Sequence, residues 1–190
     1  MSLFILGLVI FVGIHSVAIV APAWRDARAA RNAGMWKGIY SVVSVVGLVL
    51  LICGYAMARG STPSLWAPPV FMRHIALLLM LPVFPLLIAA YFPGRISRSA
   101  RHPMLVAITL WALAHLLANG SLISVILFGA FFLWAVLDWI AASKRPAQRL
   151  VPGAPSSPGN DARALVGGLA VYAIILLWAH RWLAGVSLLA

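Results

Sequence analysis

Five histidines are the side chains of this sequence that could bind a metal ion or carry a proton near neutral pH. Two of them occupy its most informative stretch: His102 in Arg101-His102-Pro103-Met104, and His115 in the apolar run that follows. An ionisable residue at membrane depth is costly, faces the protein interior or a cavity, and usually marks function. His115 is such a residue, whereas His102 lies where a proline fits the first turn of a helix.

Several residue types are scarce, and this limits the chemistry. The 190 residues include no glutamate, three aspartates and a single cysteine, Cys53. Carboxylate-pair catalysis and carboxylate metal cages are therefore not expected. One cysteine also excludes an intramolecular disulfide and a Cys-x-x-Cys site.

The chain that must position these residues has the composition of a membrane protein. Hydrophobic residues make up 64% of it and charged residues 9%, far from a soluble globular composition. We predict an all-α, polytopic transmembrane bundle of about six helices, because several apolar runs approach the length that spans a bilayer. The bundle is expected to form a single domain over residues 1–190. The predicted spans are 3–21, 39–58, 72–92, 104–119, 122–141 and 164–184, of which the fourth is short.

Proline and glycine mark two interruptions. Residues 144–162 are rich in Pro, Gly and Ser and have no apolar period, which predicts a flexible cytoplasmic linker. Pro82 and Pro85 predict a bend in the third span, because each removes a backbone hydrogen-bond donor. The bend surrounds a packed site or cavity, or it is a packing kink.

Basic residues alternate between the loops. The first, third and fifth loops hold eleven of the fourteen, namely Arg25, Arg28, Arg31, Lys37, Arg95, Arg98, Arg101, Lys144, Arg145, Arg149 and Arg163. The positive-inside rule places these loops in the cytoplasm and both termini outside. The net charge of +11 thus follows membrane topology, and we expect a lipid bilayer and no nucleic acid as partner.

This topology sorts the histidines by depth. His74 opens the third span, His115 lies near the end of the fourth, and His180 lies near the outer end of the sixth. Two imidazoles from facing helices can hold a haem, so His74 and His115 form a candidate axial pair. A zinc site is a poorer match to these residues, because zinc is bound by three or four protein ligands. An interfacial hydrogen-bonding role stays open for both residues, and it is the preferred interpretation of His180.

A second polar set is predicted toward the cytoplasmic side, comprising His15, Arg25, His102 and Asp138. Three members also have a structural interpretation. His15 is interpreted as a buried hydrogen-bonded residue, and His102 as a helix cap beside anionic lipid headgroups. For Asp138 the default is a salt bridge or helix-end interaction, since Lys144 and Arg145 are close in sequence.

Several short segments, distributed over most of the chain, together resemble those of a known protein family. They are Gly13-Ile14-His15-Ser16, Tyr40-Ser41-Val42-Val43-Ser44, Gly54-Tyr55 with Ala58-Arg59, Leu65-Trp66-Ala67-Pro68-Pro69, Arg73-His74, Pro93-Gly94-Arg95-Ile96, Arg101-His102-Pro103-Met104, the block 110–120, and Leu127-Phe128-Gly129-Ala130-Phe131. In their order and number they resemble the NnrU family of bacterial inner-membrane proteins. The resemblance implies a multi-pass protein of that membrane with a role in nitric oxide and nitrite metabolism, that is, in denitrification.

The same region resembles the plant zeta-carotene isomerase, an integral membrane enzyme that uses haem b. That enzyme has an Arg-His-Pro element followed by Ile-Trp-Cys-Leu-Ala-His. The match implies axial haem ligands at His115 and at His74. The plant cysteine is replaced here by Ala112. Chemistry that needs its thiolate is therefore not expected to carry over.

Three functions compete at this point. The leading hypothesis is a haem b protein that acts in nitric oxide handling, redox sensing or an isomerase-like reaction on an apolar substrate. The second is a small-molecule transporter or channel, although no inverted repeat and no acidic proton relay supports it. The third is a membrane methyltransferase. The Arg-His-Pro element of this chain, before a hydrophobic helix, resembles that of isoprenylcysteine methyltransferase-like enzymes. The chain lacks the glutamate-bearing cofactor segment of that class.

Overall fold

The structure is a computed structural model that describes residues 1–145, 153–186 and 188. Its regular elements are α1 (Ser2–Val20), α2 (Pro22–Arg31), α3 (Ala33–Ala58), α4 (Val70–Met80), α5 (Val83–Tyr91), α6 (Arg95–Ala100), α7 (Pro103–Ala118), α8 (Leu122–Ser143), α9 (Asn160–Ile174), a π-helical turn (Ile175–Ala179) and α10 (His180–Ala184). Within the described residues there is no strand, only one isolated antiparallel bridge between Ser64 and Ser121. The all-α prediction is thus confirmed.

All six predicted spans coincide with helices. Five are long and apolar enough to cross a membrane, namely Ser2–Val20, Ala33–Ala58, Val70–Tyr91, Leu122–Ser143 and Asn160–Ala184. The predicted fourth span is the shorter helix α7, of 16 residues. The predicted bend in the third span is confirmed, because α4 ends at Met80 and α5 begins at Val83, directly after Pro82.

The chain divides into two compact units. Unit 1 comprises Met1–Pro68 and Ala118–Arg145. In it α1 and α3 run antiparallel, and glycines let their backbones meet. A methyl group on Gly7 would overlap the backbone at Leu51, and one on Gly54 would overlap Phe4. Small residues at such a contact allow the close van der Waals approach that holds apolar helices together in lipid.

Unit 2 comprises Pro69–Leu117 and the described residues of Pro146–Ala190. Here α5 packs against α9, and a methyl group on Gly168 would overlap Pro85. The hydroxyl of Tyr172 donates to the Leu77 carbonyl at 3.0 Å. The two chain segments therefore run antiparallel, so the end of the last span lies beside the start of α4.

The loops contain more helix than the sequence indicated. Helix α2 occupies the first basic loop, with a proline in its first turn and no buried residue. The predicted linker, 144–162, lies partly outside the described residues, at 146–152. Its remainder is anchored, because the side-chain amide of Asn160 donates to the carbonyls of Pro93 and Pro155, each at 3.0 Å. The last span accordingly begins at Asn160, four residues earlier than predicted.

Candidate functional site

His115 lies on α7 in unit 2 and is half-buried. Its Nδ1 is 2.8 Å from the carbonyl oxygen of Trp111, one turn earlier. A carbonyl can only accept, so Nδ1 must carry the hydrogen. In the neutral ring the lone pair is then on Nε2, which is the nitrogen that a metal would bind. The Trp111 ring lies 5.1 Å from the imidazole and limits its rotation.

His180 is held in a similar way. It follows the π-helical turn, and its Nδ1 is 2.9 Å from the carbonyl oxygen of Val186. The left-handed Gly185, with φ 71°, turns the chain back so that this bond can form. His180 and His115 belong to the same unit. The interfacial role preferred for His180 from the sequence stays a prediction.

His74 lies on α4 in the same unit, with an exposed side chain. Across the described part of the chain, the structure gives this ring no hydrogen bond and no contact with His115. Its pairing with His115 therefore stays a prediction.

The described residues include no group of three or more His, Cys, Asp or Glu side chains placed to hold a metal ion. A zinc centre of ordinary composition would need such a group. Haem iron needs only one or two protein nitrogens, since the porphyrin supplies the other four.

The second polar set is centred on His15 in unit 1. Its Nδ1 is 2.7 Å from the Phe11 carbonyl oxygen. The Asp138 carboxylate acts electrostatically on this ring and pairs with Arg145 at 3.0 Å. Arg145 also donates to the carbonyl of Ala18 at 2.9 Å. The default salt bridge predicted for Asp138 is therefore present, and the second bond of Arg145, to Ala18, ties the end of α8 to the end of α1.

Aromatic rings surround His15. The ring centroids lie 4.3 Å away for Phe11, 5.2 Å for Tyr40 and 5.8 Å for Trp134. Among the described residues, the buried indole Nε1 of Trp134 has no hydrogen-bond partner. Tyr40 and Trp134 were not predicted as site residues from the sequence, because aromatic side chains within an apolar run usually serve in packing.

The other two members of this set lie differently. Arg25 pairs with its neighbour Asp26 at 2.7 Å, and its charge acts on Tyr40. His102 belongs to unit 2, where its carbonyl accepts from Val106 as α7 begins. The predicted position of His102 at a helix entrance is confirmed, and the structure groups only His15, Arg25 and Asp138 within one unit.

Comparison with known proteins gives one result. A family model described as NnrU protein matches residues 3–188. A search of curated proteins and a search of solved structures each gave no match. The matched range covers nearly the whole chain, so it includes both units and every candidate residue described above. The chain belongs to the NnrU family.

Proposed function

We propose that this NnrU-family chain is a haem b-binding protein of the bacterial inner membrane, with His115 and His74 as axial ligands. The observation that carries the proposal is the His115 imidazole, whose Nδ1–H is fixed by the Trp111 carbonyl. Nearly all metal-binding histidines are oriented by such a bond on the second nitrogen. The proposed role is in nitric oxide and nitrite metabolism or redox sensing, with an isomerase-like reaction as a further activity.

The residues around His115 fit a porphyrin in type. Ala112 and Ala114, its neighbours on α7, are small, apolar and fully buried. The macrocycle is a flat, largely apolar group that apolar helix faces can accommodate. Bound there, haem would supply an iron centre able to change oxidation state, and a small diatomic ligand could bind once one of the two histidines leaves the iron.

The roles of the chain's own residues follow from the contacts. The Trp111 carbonyl holds the tautomer of His115, and the Trp111 ring restricts the orientation of the imidazole. His74 would supply the second nitrogen from α4. Its side chain is exposed, which leaves the imidazole ring accessible. Ala112 cannot provide a thiolate, so these residues favour ligand binding or redox sensing over the plant isomerase chemistry.

The charges support the proposed orientation. Arg145 joins the end of α8 to the end of α1, so unit 1 collects five further basic residues at that end: Arg25, Arg28, Arg31, Lys37 and Lys144. The opposite end of unit 1 has Arg59. This asymmetry is typical of a cytoplasmic face, which would place the N-terminus outside.

The visible absorption spectrum of the detergent-purified protein tests this proposal, in the oxidised and reduced states. We expect a haem b spectrum that His115→Ala abolishes or converts to high spin. His15→Ala is the matched control, because His15 makes the same bond to a carbonyl one turn earlier but belongs to unit 1. A colourless wild type that fails to take up added haem would overturn the proposal.

A further inference from the structure

Three glycine contacts fix the register of α1 against α3 in unit 1. At each, a methyl group on the glycine would overlap the backbone of the other helix: Gly7 against Leu51, Gly47 against Phe11, and Gly54 against Phe4. From one pair to the next, every step forward along α1 is matched by one step back along α3. By the same register, Val20 at the end of α1 lies level with Gly38. Residues 33–37 of α3 therefore extend beyond the end of α1.

This extension lies at the depth of lipid headgroups. Helix α1 has 19 residues and is about 28 Å long, close to the roughly 30 Å of a hydrocarbon core. Helix α3 has 26 residues and is about 39 Å long, so it must leave the core. At its other end α3 reaches little beyond α1, since Ala56 is level with Ser2 in this register. Most of the excess length is therefore at residues 33–37, where the headgroup region begins.

Helix α2 returns along this extension and presents an aromatic pair there. The Trp24 ring, in the first turn of α2, lies 5.6 Å from the Trp36 ring in an edge-to-face arrangement. The guanidinium carbon of Arg28 lies 5.2 Å from the centroid of the Trp24 ring. Helix α2 has no buried residue, so its surface is open to its surroundings. Two indoles at this depth are typical of side chains that lie among lipid headgroups.

Arginines form one stripe along α2. Arg25, Arg28 and Arg31 follow each other at intervals of three residues, so they span roughly 120° of the helix circumference. The one acidic residue of this helix, Asp26, pairs with Arg25 at 2.7 Å. Among the residues that the structure describes, no carboxylate lies within ion-pair distance of Arg28, Arg31 or Lys37. Anions from outside the chain would neutralise this positive charge.

We propose that the arginine stripe and the Trp24–Trp36 pair bind an anionic phospholipid, whose phosphate lies between Arg28 and Arg31. The guanidinium group suits a phosphate, because its planar N–H groups donate in pairs. Arg28 can donate while it lies over the Trp24 ring, since its donors are at the edge of the guanidinium plane. The depth of the site favours a lipid over a free phosphate. A zwitterionic lipid is disfavoured, because its ammonium group would lie beside the same arginines.

Native mass spectrometry of the detergent-purified protein tests this by counting bound lipids. The wild type and the double variant Arg28→Gln/Arg31→Gln would be titrated with phosphatidylglycerol and with phosphatidylcholine. We expect the wild type to bind phosphatidylglycerol about tenfold more tightly than phosphatidylcholine, and the double variant to lose this preference. Arg59→Gln is the matched control, because Arg59 lies at the opposite end of α3, and it should keep the preference.

Two further measurements address the aromatic pair and the kind of anion. Trp24→Leu keeps an apolar side chain but removes the ring beneath Arg28, so phosphatidylglycerol should bind about threefold more weakly. Unchanged binding in this variant would overturn the assignment of the indoles to the site. Sodium phosphate and sodium chloride at equal ionic strength should displace the lipid equally, because salt only screens the charges.

Three results would overturn the proposal as a whole. The first is equal binding of the two lipids by the wild type, a result that depends on the folding of no variant. The second is an unchanged preference in the double variant when circular dichroism shows that its helices remain. The third is displacement of phosphatidylglycerol by phosphate well beyond that by chloride, which would identify a site for a free anion. None of these readouts depends on haem, so the proposed function stands or fails separately.

Discussion

The two units hold a histidine with the same local bond but surround it differently. In unit 1 the His15 Nδ1 lies 2.7 Å from the Phe11 carbonyl, and in unit 2 the His115 Nδ1 lies 2.8 Å from the Trp111 carbonyl. Three aromatic rings and a nearby carboxylate surround His15. In unit 2 the Trp111 ring lies 5.1 Å from that of His115. The backbone bond sets the tautomer in both units, and the neighbours determine what each ring can do.

This difference shows why a histidine in a membrane helix cannot be interpreted alone. His15 lies among three aromatic rings near the Asp138–Arg145 ion pair, so its surroundings are those of a structural residue. His115 lies against the Trp111 ring, so its neighbours restrict the ring without adding a described charge pair. Variants that separate packing from binding would therefore affect the two units differently.

The largest expected effect is on the packing of unit 1. Gly54→Ala should destabilise the protein by about 2–3 kcal/mol, because the new methyl group would overlap the backbone of Phe4 on α1. Thermal unfolding in detergent micelles measures it. Gly13→Ala is the control on the same helix pair, since nothing lies within 4 Å of the added methyl group. There the better helix propensity of alanine should stabilise slightly. Equal effects at both positions would show that the contact at Gly54 is not tight.

Much of the fold could be predicted because apolar runs are a local signal. The lengths of the apolar runs correctly predicted helices at all six spans, and the two prolines predicted the break between α4 and α5. Helices that are apolar all round carry little information on which face meets a neighbour. Tyr40 and Trp134 were therefore not recognised as neighbours of His15, although residues 11–15 and 134–138 lay in predicted spans.

The candidate site was less predictable for a related reason. A π turn has no clear sequence signature, and it changes the rotation about the helix axis of every residue that follows it, including His180. The helix start at Asn160 depends on the Pro93 carbonyl of a distant segment and on the Pro155 carbonyl five residues earlier, so a tertiary contact anchors the described end of the predicted linker. Depth in the membrane could be estimated from sequence, but rotation about the helix axis could not.

A smaller effect is expected at the ion pair of unit 1. Asp138→Asn leaves Arg145 without its carboxylate in a site where the two side chains are only 16% and 20% exposed. We expect a loss of about 2 kcal/mol, below the cost for a fully buried pair because water still reaches both groups. Asp26→Asn is the control, with a carboxylate that is 57% exposed in a similar pair, and should cost less than about 1 kcal/mol. Thermal unfolding of the two variants would be compared. Equal losses would mean that burial does not strengthen the Asp138 pair.

The smallest effect is expected in unit 2, at the start of α6. There the Asp161 carboxylate accepts hydrogen bonds from the backbone N–H groups of Arg95 and Ile96, each at 3.0 Å. Asp161→Ala removes both acceptors, and we expect amide exchange at these two positions to accelerate about threefold, as the first turn of α6 opens more often. Hydrogen–deuterium exchange measures it residue by residue. Asp161→Asn keeps one acceptor oxygen, so its rates of amide exchange should lie between those of the wild type and those of Asp161→Ala. Unchanged exchange in both variants would mean that the turn at Gly94, and not the carboxylate, holds α6 in place.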